Sequence, residues 1–443
     1  MKAEERRNLR IEKLVYRGDG LGHDAGKAVF IPRTVPGDIV TWVPVREKKS
    51  YVQGRLVDVT VPSTERVVAV CPEYGRCGGC QWQHVDYGAQ LRWKREIVAE
   101  ILGRAIGLPG DRVNQVLSSP VPFHYRSRTR LIWKQGKLGF RRAGSHRMVP
   151  VEQCPLLVSR LDELLKIVDG NLLKTSCFSG TEGELLLEMG DKGNPRAIFK
   201  FHTVPKREAH QVKEMLKKEE ALAESHGFSL WAEIPGDPSP FLIAGENSFF
   251  LFPSEGTSVK LAVPPGGFFQ ANLFQNRTLT AFVLTAAGKV VPPGPINVLD
   301  LYCGMGNLSI PMAAGGWRVV GVDNAISSVE TARKNAAVNG LESVRFVHAD
   351  AGSYLEDRVA AEGAPYVLVV LDPPRTGARK VAEILAKSER GPGAVVYVSC
   401  DPMTLGRDLR ILAEAAYNVE SVIPIDMFPQ TFHIETVTVL TKG

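Results

Sequence analysis

The stretch Val298-Leu299-Asp300-Leu301-Tyr302-Cys303-Gly304-Met305-Gly306-Asn307-Leu308-Ser309 decides how the chain is read. An apolar run ends in a Gly-x-Gly turn, and a helical pattern follows. Working outward, the pattern predicts strand 296–301, helix 307–314, strand 318–322, helix 325–339, strands 344–348 and 366–371, and helix 378–388. Strand 394–399, helix 403–415 and strands 418–425 and 433–441 complete it. Such alternation implies an α/β fold with a doubly wound, Rossmann-like sheet, and the closing strand pair implies an antiparallel edge. Ahead of it, Gly266-Gly267-Phe268-Phe269-Gln270-Ala271-Asn272 opens a helix running to about Ala286. Val291-Pro292-Pro293-Gly294-Pro295 reads as a linker.

In a doubly wound sheet, ligands bind at the carboxyl ends of the strands. The Gly-x-Gly turn lacks the third glycine of the dinucleotide fingerprint, so it fits NAD or S-adenosylmethionine (SAM). Asp323 ends the second strand, nineteen residues after Gly304, where an acid accepts hydrogen bonds from ribose hydroxyls. Asp350 ends the third strand region, within reach of a base edge. Leu371-Asp372-Pro373-Pro374-Arg375 follows the fourth strand. It resembles the Asn/Asp-Pro-Pro loop of nucleic-acid methyltransferases that handle flipped bases. Cys400 in Val398-Ser399-Cys400-Asp401-Pro402 stands where a strand ends and a helix begins, with Asp401 as N-cap and Pro402 as first helical residue. A helix N-terminus lowers thiol pKa values, so a reactive thiolate is expected there; a buried inert thiol is the alternative. Glu435, in a strand pattern beside Val437 and Val439, is expected to have a raised pKa suited to a base.

The front of the chain has a different texture. Residues 1–150 hold 27 Lys+Arg against 14 Asp+Glu, whereas the whole chain has a net charge of only +6. A basic front half points to a polyanion, most simply nucleic acid. Residues 1–60 read as an OB-like β-module, with strands Leu9–Val15, Ala28–Pro32, Asp38–Val45 and Tyr51–Val59 separated by glycine turns. Arg17, Arg46, Lys48, Lys49 and Arg55 are its candidate phosphate contacts. Cys71, Cys77 and Cys80 follow in C-x5-C-x2-C spacing, with Cys154 as a fourth thiol. Four thiolates suit Zn²⁺ or an iron–sulfur cluster. Helical spacing runs from Tyr87 to Leu102. Arg126, Arg128 and Arg130 alternate on one strand face, and with Tyr125 and Trp133 they read as an RNA-contact surface. From there to about 260 the pattern is mixed α/β, with strands at Leu185–Met189, Ala197–Phe201 and Ser229–Ile234 and a charged helix over Glu208–Ala223. The charged start and the lack of an 18-residue apolar run imply no signal peptide, no membrane span and a cytoplasmic setting.

Taken jointly, these motifs resemble the RNA uracil-5-methyltransferase family, in the branch with an N-terminal TRAM domain and a [4Fe–4S] cluster. The resemblance spans essentially the whole chain. It implies a TRAM domain at 1–60 and a central α+β iron–sulfur domain at 61–260, with the helix near 87–102 packed on a SAM-dependent methyltransferase domain at 261–443. It implies Cys71, Cys77, Cys80 and Cys154 as cluster ligands, with Gln270, Tyr302, Gly304, Asn307, Asp323, Asp350 and Asp372 holding SAM or the reacting base. Cys400 matches the nucleophile and Glu435 the base. Asp323 stands where many members carry Glu, and Cys177 and Cys303 match no role. The implied activity is formation of 5-methyluridine in 23S ribosomal RNA by a monomer, with transfer RNA the next substrate to consider. Three rival readings stay open at this point: an RNA cytosine-5 methyltransferase, an NAD-dependent oxidoreductase with an iron–sulfur centre, and a non-catalytic RNA-binding protein.

Overall fold

A computed structural model describes residues 6–443, apart from 176–177, 179, 204–208, 237–238, 257 and 363–365. Cys177 and the first residue of the charged helix expected at 208–223 therefore lie outside the described residues. Three large sheets and one two-stranded sheet organise the rest. The C-terminal one has seven strands in the order Val344–His348, Arg318–Asp323, Asn297–Leu301, Leu368–Leu371, Ala394–Ser399, Glu435–Lys442, Tyr417–Ile425. The first five are parallel, and the last strand of the chain inserts antiparallel between the two before it. Strand Ala394–Ser399 is buried at every residue because both faces are covered. Val396 and Val398 share a core with Leu279 and Val283 of the helix Leu273–Val290. Val395 and Tyr397 pack the other way, with Val381, Leu405 and Leu409 of the helices Arg379–Lys387 and Pro402–Ala413.

The helix Tyr87–Ile106 joins this second core through Val98 and Leu102. It lies so close to the helix Pro402–Ala413 that a Cβ on Gly406 would come within 2.9 Å of the Ala105 Cβ. At the front, six strands between Arg7 and Val61 form a sheet around Leu9, Ile31, Val40 and Trp42. One of them, Gly20–Asp24, falls where the glycines read as turn. The central seven-stranded sheet runs from Phe241–Ala244 through Arg128–Lys134 to Met148–Pro150, backed by the helix Ser159–Gly170. The charged helix is two helices, Ala209–Lys217 and Glu220–Ser225. No helix of the described residues is long and apolar enough to cross a membrane.

The three parts meet on one loop, residues 426–434, between the last two strands. Five successive carbonyls there accept hydrogen bonds from elsewhere in the chain. Asp426 O takes Gln275 Nε2 at 3.1 Å, Met427 O takes Asn272 Nδ2 at 3.3 Å, and Phe428 O takes Lys94 Nζ at 3.1 Å. Pro429 O takes the Tyr125 hydroxyl at 3.0 Å, and Gln430 O takes the Gln81 and Trp82 amides at 3.1 and 3.0 Å. Lys94 Nζ also meets Asp426 Oδ1 at 2.5 Å, with both side chains fully buried.

Removing one partner of a buried ion pair leaves the other charge without compensation, at a cost of about 3–5 kcal/mol. Urea unfolding of Lys94→Met is therefore expected to show a loss of that order. The double variant Lys94→Met/Asp426→Leu should regain most of it, since no bare charge remains.

Candidate active site

Three neighbouring parallel strands end together, with Leu301 beside Leu371 and Leu371 beside Tyr397. Tyr302, Asp372 and Cys400 emerge from this edge. Tyr302 holds φ +64°, a left-handed conformation costing a non-glycine residue about 1–3 kcal/mol. The turn continues through Gly304 (φ +55°) and Gly306 (φ +93°). A Cβ on Gly304 would meet nothing within 4 Å, so the space over this turn is open. One on Gly306 would lie 2.8 Å from Ile310 Cγ1, so glycine is needed there for packing.

The flanking residues fix this turn from both sides. Asp323 Oδ2 accepts the Gly304 amide at 3.0 Å and its Oδ1 accepts the Ala325 amide at 2.8 Å. Asn307 and Asn276 exchange reciprocal amide bonds of 2.9 Å, tying the turn to the helix Leu273–Val290. Gln270 is half-buried just before that helix, whose N-cap Asn272 accepts the Gln275 amide at 3.2 Å. Asp350 is exposed at the start of the helix Ala351–Glu362, an element the sequence reading lacked. Its Oδ1 accepts the Ser353 amide and hydroxyl at 2.9 Å each; these bonds, the amide foremost, hold its carboxyl below the usual range.

Asp300, in the strand that leads into this turn, carries no reading in the sequence analysis. It is fully buried, accepts the Ser309 hydroxyl on Oδ2, and leaves Oδ1 with no hydrogen-bond partner. Burial, with Asp372 and Asp323 nearby, pushes its carboxyl up to about 7, against the Ser309 bond. Its signal was present: a lone acid inside an apolar strand has to be paid for by a role in packing or binding.

Cys400 is half-buried directly after its strand. Across the antiparallel pair Ser399 faces Thr436, so Glu435 begins its strand beside the thiol. Glu435 is buried, and burial followed by Asp372 lifts its carboxyl well above the ordinary value, while Arg375 opposes. Burial lifts Asp372 itself to about 7. The expected low thiol pKa is corrected. Burial, then Glu435 and Asp372, push Cys400 up to about 12, and Arg375 pulls it back only in part. Asp401 caps the helix that follows, accepting the Met403 and Thr404 amides at 2.9 and 3.2 Å. The Arg375 guanidinium lies 3.3–3.4 Å from both ring nitrogens of His433, whose ring stands 4.3 Å from that of Phe432. Cys303 is buried in the Gly-x-Gly turn, its thiol raised well above the ordinary value by burial.

The four front cysteines line one cavity of about 170 Å³, together with Tyr74, Gln83, Arg126 and Arg130. Among the described residues, no three His, Cys, Asp or Glu side chains stand close enough to hold a single metal ion. His84 is buried and structural, its ring nitrogens 2.5 Å from the Tyr74 hydroxyl and 3.3 Å from Thr34 O. The expected RNA face on 125–133 is also corrected. Tyr125 and Trp133 are buried, Trp133 among Phe178, Phe199 and Phe201. The odd-numbered positions point inward with the core, opposite the arginines. Arg128 pairs with buried Glu188 at 3.1 Å, and exposed Arg130 pairs with Glu184 at 3.1 Å. Arg46, Lys48, Lys49 and Arg55 are exposed on the front sheet. Phe268 is 73% exposed two residues before Gln270, with Arg128 5.8 Å from its ring centre.

A family model described as tRNA (Uracil-5-)-methyltransferase matches residues 256–443. The chain is 33% identical to 23S rRNA (uracil(1939)-C(5))-methyltransferase RlmD of Shewanella sp. strain MR-7, over 97% of this chain and 94% of that protein. It is also 33% identical to RlmD of Shewanella baltica strain OS223, over 98% and 96%. Among solved structures, the Pyrococcus abyssi tRNA (uracil-54, C5)-methyltransferase in complex with S-adenosyl-L-homocysteine shares the fold, with TM-score 0.71 and 24% identity. That match covers 98% of this chain and 100% of the other.

The raised carboxyl of Asp300 carries a pH signature. An acid whose folded pKa lies above its unfolded value binds more protons in the folded state. It therefore costs stability as pH rises from the unfolded value, 3.8, to the folded one, about 7. Asp300→Asn removes that cost. Its stability relative to the unsubstituted protein, from urea midpoints in the absence of ligand, is expected to climb over this window and level off above it.

Proposed function

The chain belongs to the RNA uracil-5-methyltransferase family, and on that premise we propose that it forms 5-methyluridine in 23S ribosomal RNA, with SAM as methyl donor, Cys400 as nucleophile and Glu435 as base. The observation that carries the residue roles is the pairing of Ser399 with Thr436, which sets the thiol and the buried carboxyl side by side above the Asp372 loop. Near-full-length likeness to 23S rRNA enzymes supports the choice of RNA.

Carbon 5 of uracil is too weak a nucleophile to take a methyl group unaided. The Cys400 thiol gives up its proton to solvent as its sulfur forms a bond to carbon 6, and the electron pair displaced from the carbon 5–carbon 6 double bond makes carbons 5 and 4 an enolate. SAM, when bound, supplies the methyl group to carbon 5. Glu435 then takes the carbon 5 proton; the pair from that bond restores the ring double bond as the carbon–sulfur bond breaks. A carboxyl with raised proton affinity suits that last step. Arg375 favours ionisation of the thiol. Gln270, Tyr302, Gly304, Asn307, Asp323, Asp350 and Asp372 are the residues read as holding SAM or the target base, over the open face of the Gly304 turn. Extruding a base costs about a few kcal/mol. The exposed Phe268 ring and the basic front sheet offer contacts that offset it.

In this reading residues 1–60 are a TRAM domain, 61–260 an iron–sulfur and RNA-binding domain, and 261–443 the methyltransferase domain of a cytoplasmic monomer. Cys71, Cys77, Cys80 and Cys154 fit a [4Fe–4S] cluster better than zinc. A single zinc ion needs all four sulfurs about 2.3 Å from one point. Here the four thiols line a cavity of about 170 Å³, room for a multi-atom cluster rather than for one ion.

Incubation of unmodified 23S rRNA and tRNA with labelled SAM, followed by nucleoside mapping, is expected to give 5-methyluridine in 23S rRNA; label in cytidine or only in tRNA would overturn that assignment. RNA bearing 5-fluorouridine should trap a covalent adduct on Cys400, because fluorine cannot leave as a proton. Cys400→Ala should abolish both adduct and turnover. Anaerobically purified protein should contain about four irons and four sulfides with broad visible absorption, all lost in Cys154→Ala. Stoichiometric zinc with no visible absorption would reject the cluster.

A further inference from the structure

The front sheet reaches the catalytic edge through the turn that carries Tyr16. Val15, Tyr16, Arg17 and Gly18 form a tight turn, closed by the Gly18 amide on the Val15 carbonyl at 2.9 Å. Arg17 holds φ +78° there, a left-handed strain that persists only where tertiary contacts impose it. The contacts are present. Trp82 Nε1 donates to the Gly18 carbonyl at 3.0 Å, and a Cβ on Gly18 would lie 3.2 Å from the Phe432 Cβ. So held, the turn projects Tyr16 out of its own sheet. Its ring stands edge-on to Phe432, with centroids 6.1 Å apart, and its hydroxyl donates to Asp401 Oδ2 at 2.8 Å. Tyr16 and Asp401 both line a cleft of about 550 Å³ between the front sheet, the helix Tyr87–Ile106 and the helix Pro402–Ala413.

Asp401 directly follows Cys400 and is engaged at both oxygens. Oδ1 caps the helix through Met403 and Thr404, and Oδ2 accepts from Tyr16. A cap held by one oxygen can still swing about its own side-chain bonds; a second bond fixes its plane, and with it the peptide that leaves Cys400. We propose that Tyr16 is a positioning residue for the catalytic thiol: it locks Asp401 and so makes the aim of Cys400 depend on the docking of the front sheet. This rests on the reading of Cys400 as nucleophile. The front sheet then has a task besides gripping RNA, since losing the Tyr16 hydroxyl misdirects the thiol while the basic surface stays intact. Misplacement by a fraction of an ångström lowers the rate from the bound complex and leaves binding unchanged.

Tyr16→Phe keeps the ring on Phe432 and removes only the bond to Asp401, so the fold is expected to hold. A hydrogen bond to a charged group is strong enough that kcat, and the single-turnover rate of adduct formation with 5-fluorouridine RNA, should each fall about tenfold. KM and the RNA dissociation constant should stay within about twofold. In an Asp401→Ala background the same change should have no further effect, because its only route is gone. The proposal is overturned if the adduct rate of Tyr16→Phe stays within about twofold of the unsubstituted protein. It is equally overturned if the loss lies in KM alone, or if the change costs about tenfold again without Asp401. Failure of the unsubstituted protein to form any adduct on Cys400 would instead overturn the nucleophile assignment, which separates the two readings.

Discussion

A buried loop cannot leave its peptide groups bare, because an unpaired carbonyl away from water costs about as much as a lost hydrogen bond. The segment 426–430 meets that constraint with donors from distant parts of the chain. Gln275 and Asn272 come from the helix that opens the C-terminal unit, Lys94 from the long helix Tyr87–Ile106, Tyr125 from the central part, and Gln81 and Trp82 from beside the cysteine loop. Gln90 and Gln430 add reciprocal bonds of 3.0 Å each way. Each donor satisfies the loop and anchors the element that supplies it. The loop then runs on through Phe432 and His433 to Glu435, so the junction of the molecule and one wall of its catalytic edge are the same piece of chain.

The electrostatics of that edge follow from burial. Asp300, Asp372 and Glu435 are all raised, each with desolvation as its first cause. Carboxyls gathered in a poorly hydrated place repel one another and hold protons. A ligand with positive charge on sulfur relieves that repulsion, which a neutral ligand of the same shape would not. On the proposed reading, Asp300 and Asp372 beside the Gly304 turn would favour a sulfonium donor electrostatically over its uncharged, demethylated product.

Much of this was legible in the sequence because its signals are local. Strands 344–348 and 394–399 were read at their observed bounds, since buried parallel strands are short apolar runs between turns. The cysteine spacing and the Gly-x-Gly turn carry their geometry in a dozen residues. What escaped depended on long-range contact. Gly20–Asp24 looks like turn because its glycines answer to neighbours: a Cβ on Gly22 would sit 2.4 Å from the Arg10 carbonyl. The period-two arginines at 126–130 were visible, but spacing alone does not reveal that Tyr125 and Trp133 face a core. The thiol of Cys400 was misjudged for the same reason. A strand-to-helix junction suggests a stabilised thiolate, yet burial and the acids Glu435 and Asp372, which distant strands bring to the thiol, outweigh it.

The raised thiol pKa bears on the chemistry. A thiol kept protonated is safe from oxidation and stray alkylation while the enzyme waits, since the thiolate is the reactive form. Its pKa is raised by burial first and then by the acids Glu435, Asp372 and Asp401, against one opposing guanidinium, Arg375. Each term can change when substrate arrives. A cationic donor near Asp372 offsets one acid, and a base held against Glu435 gives its carboxyl a new partner. On the proposed roles of Cys400 and Glu435, both changes would ease ionisation of the thiol as the site fills. The raised proton affinities of the Cys400 thiol and the Glu435 carboxyl have a common first cause, burial at the same strand edge.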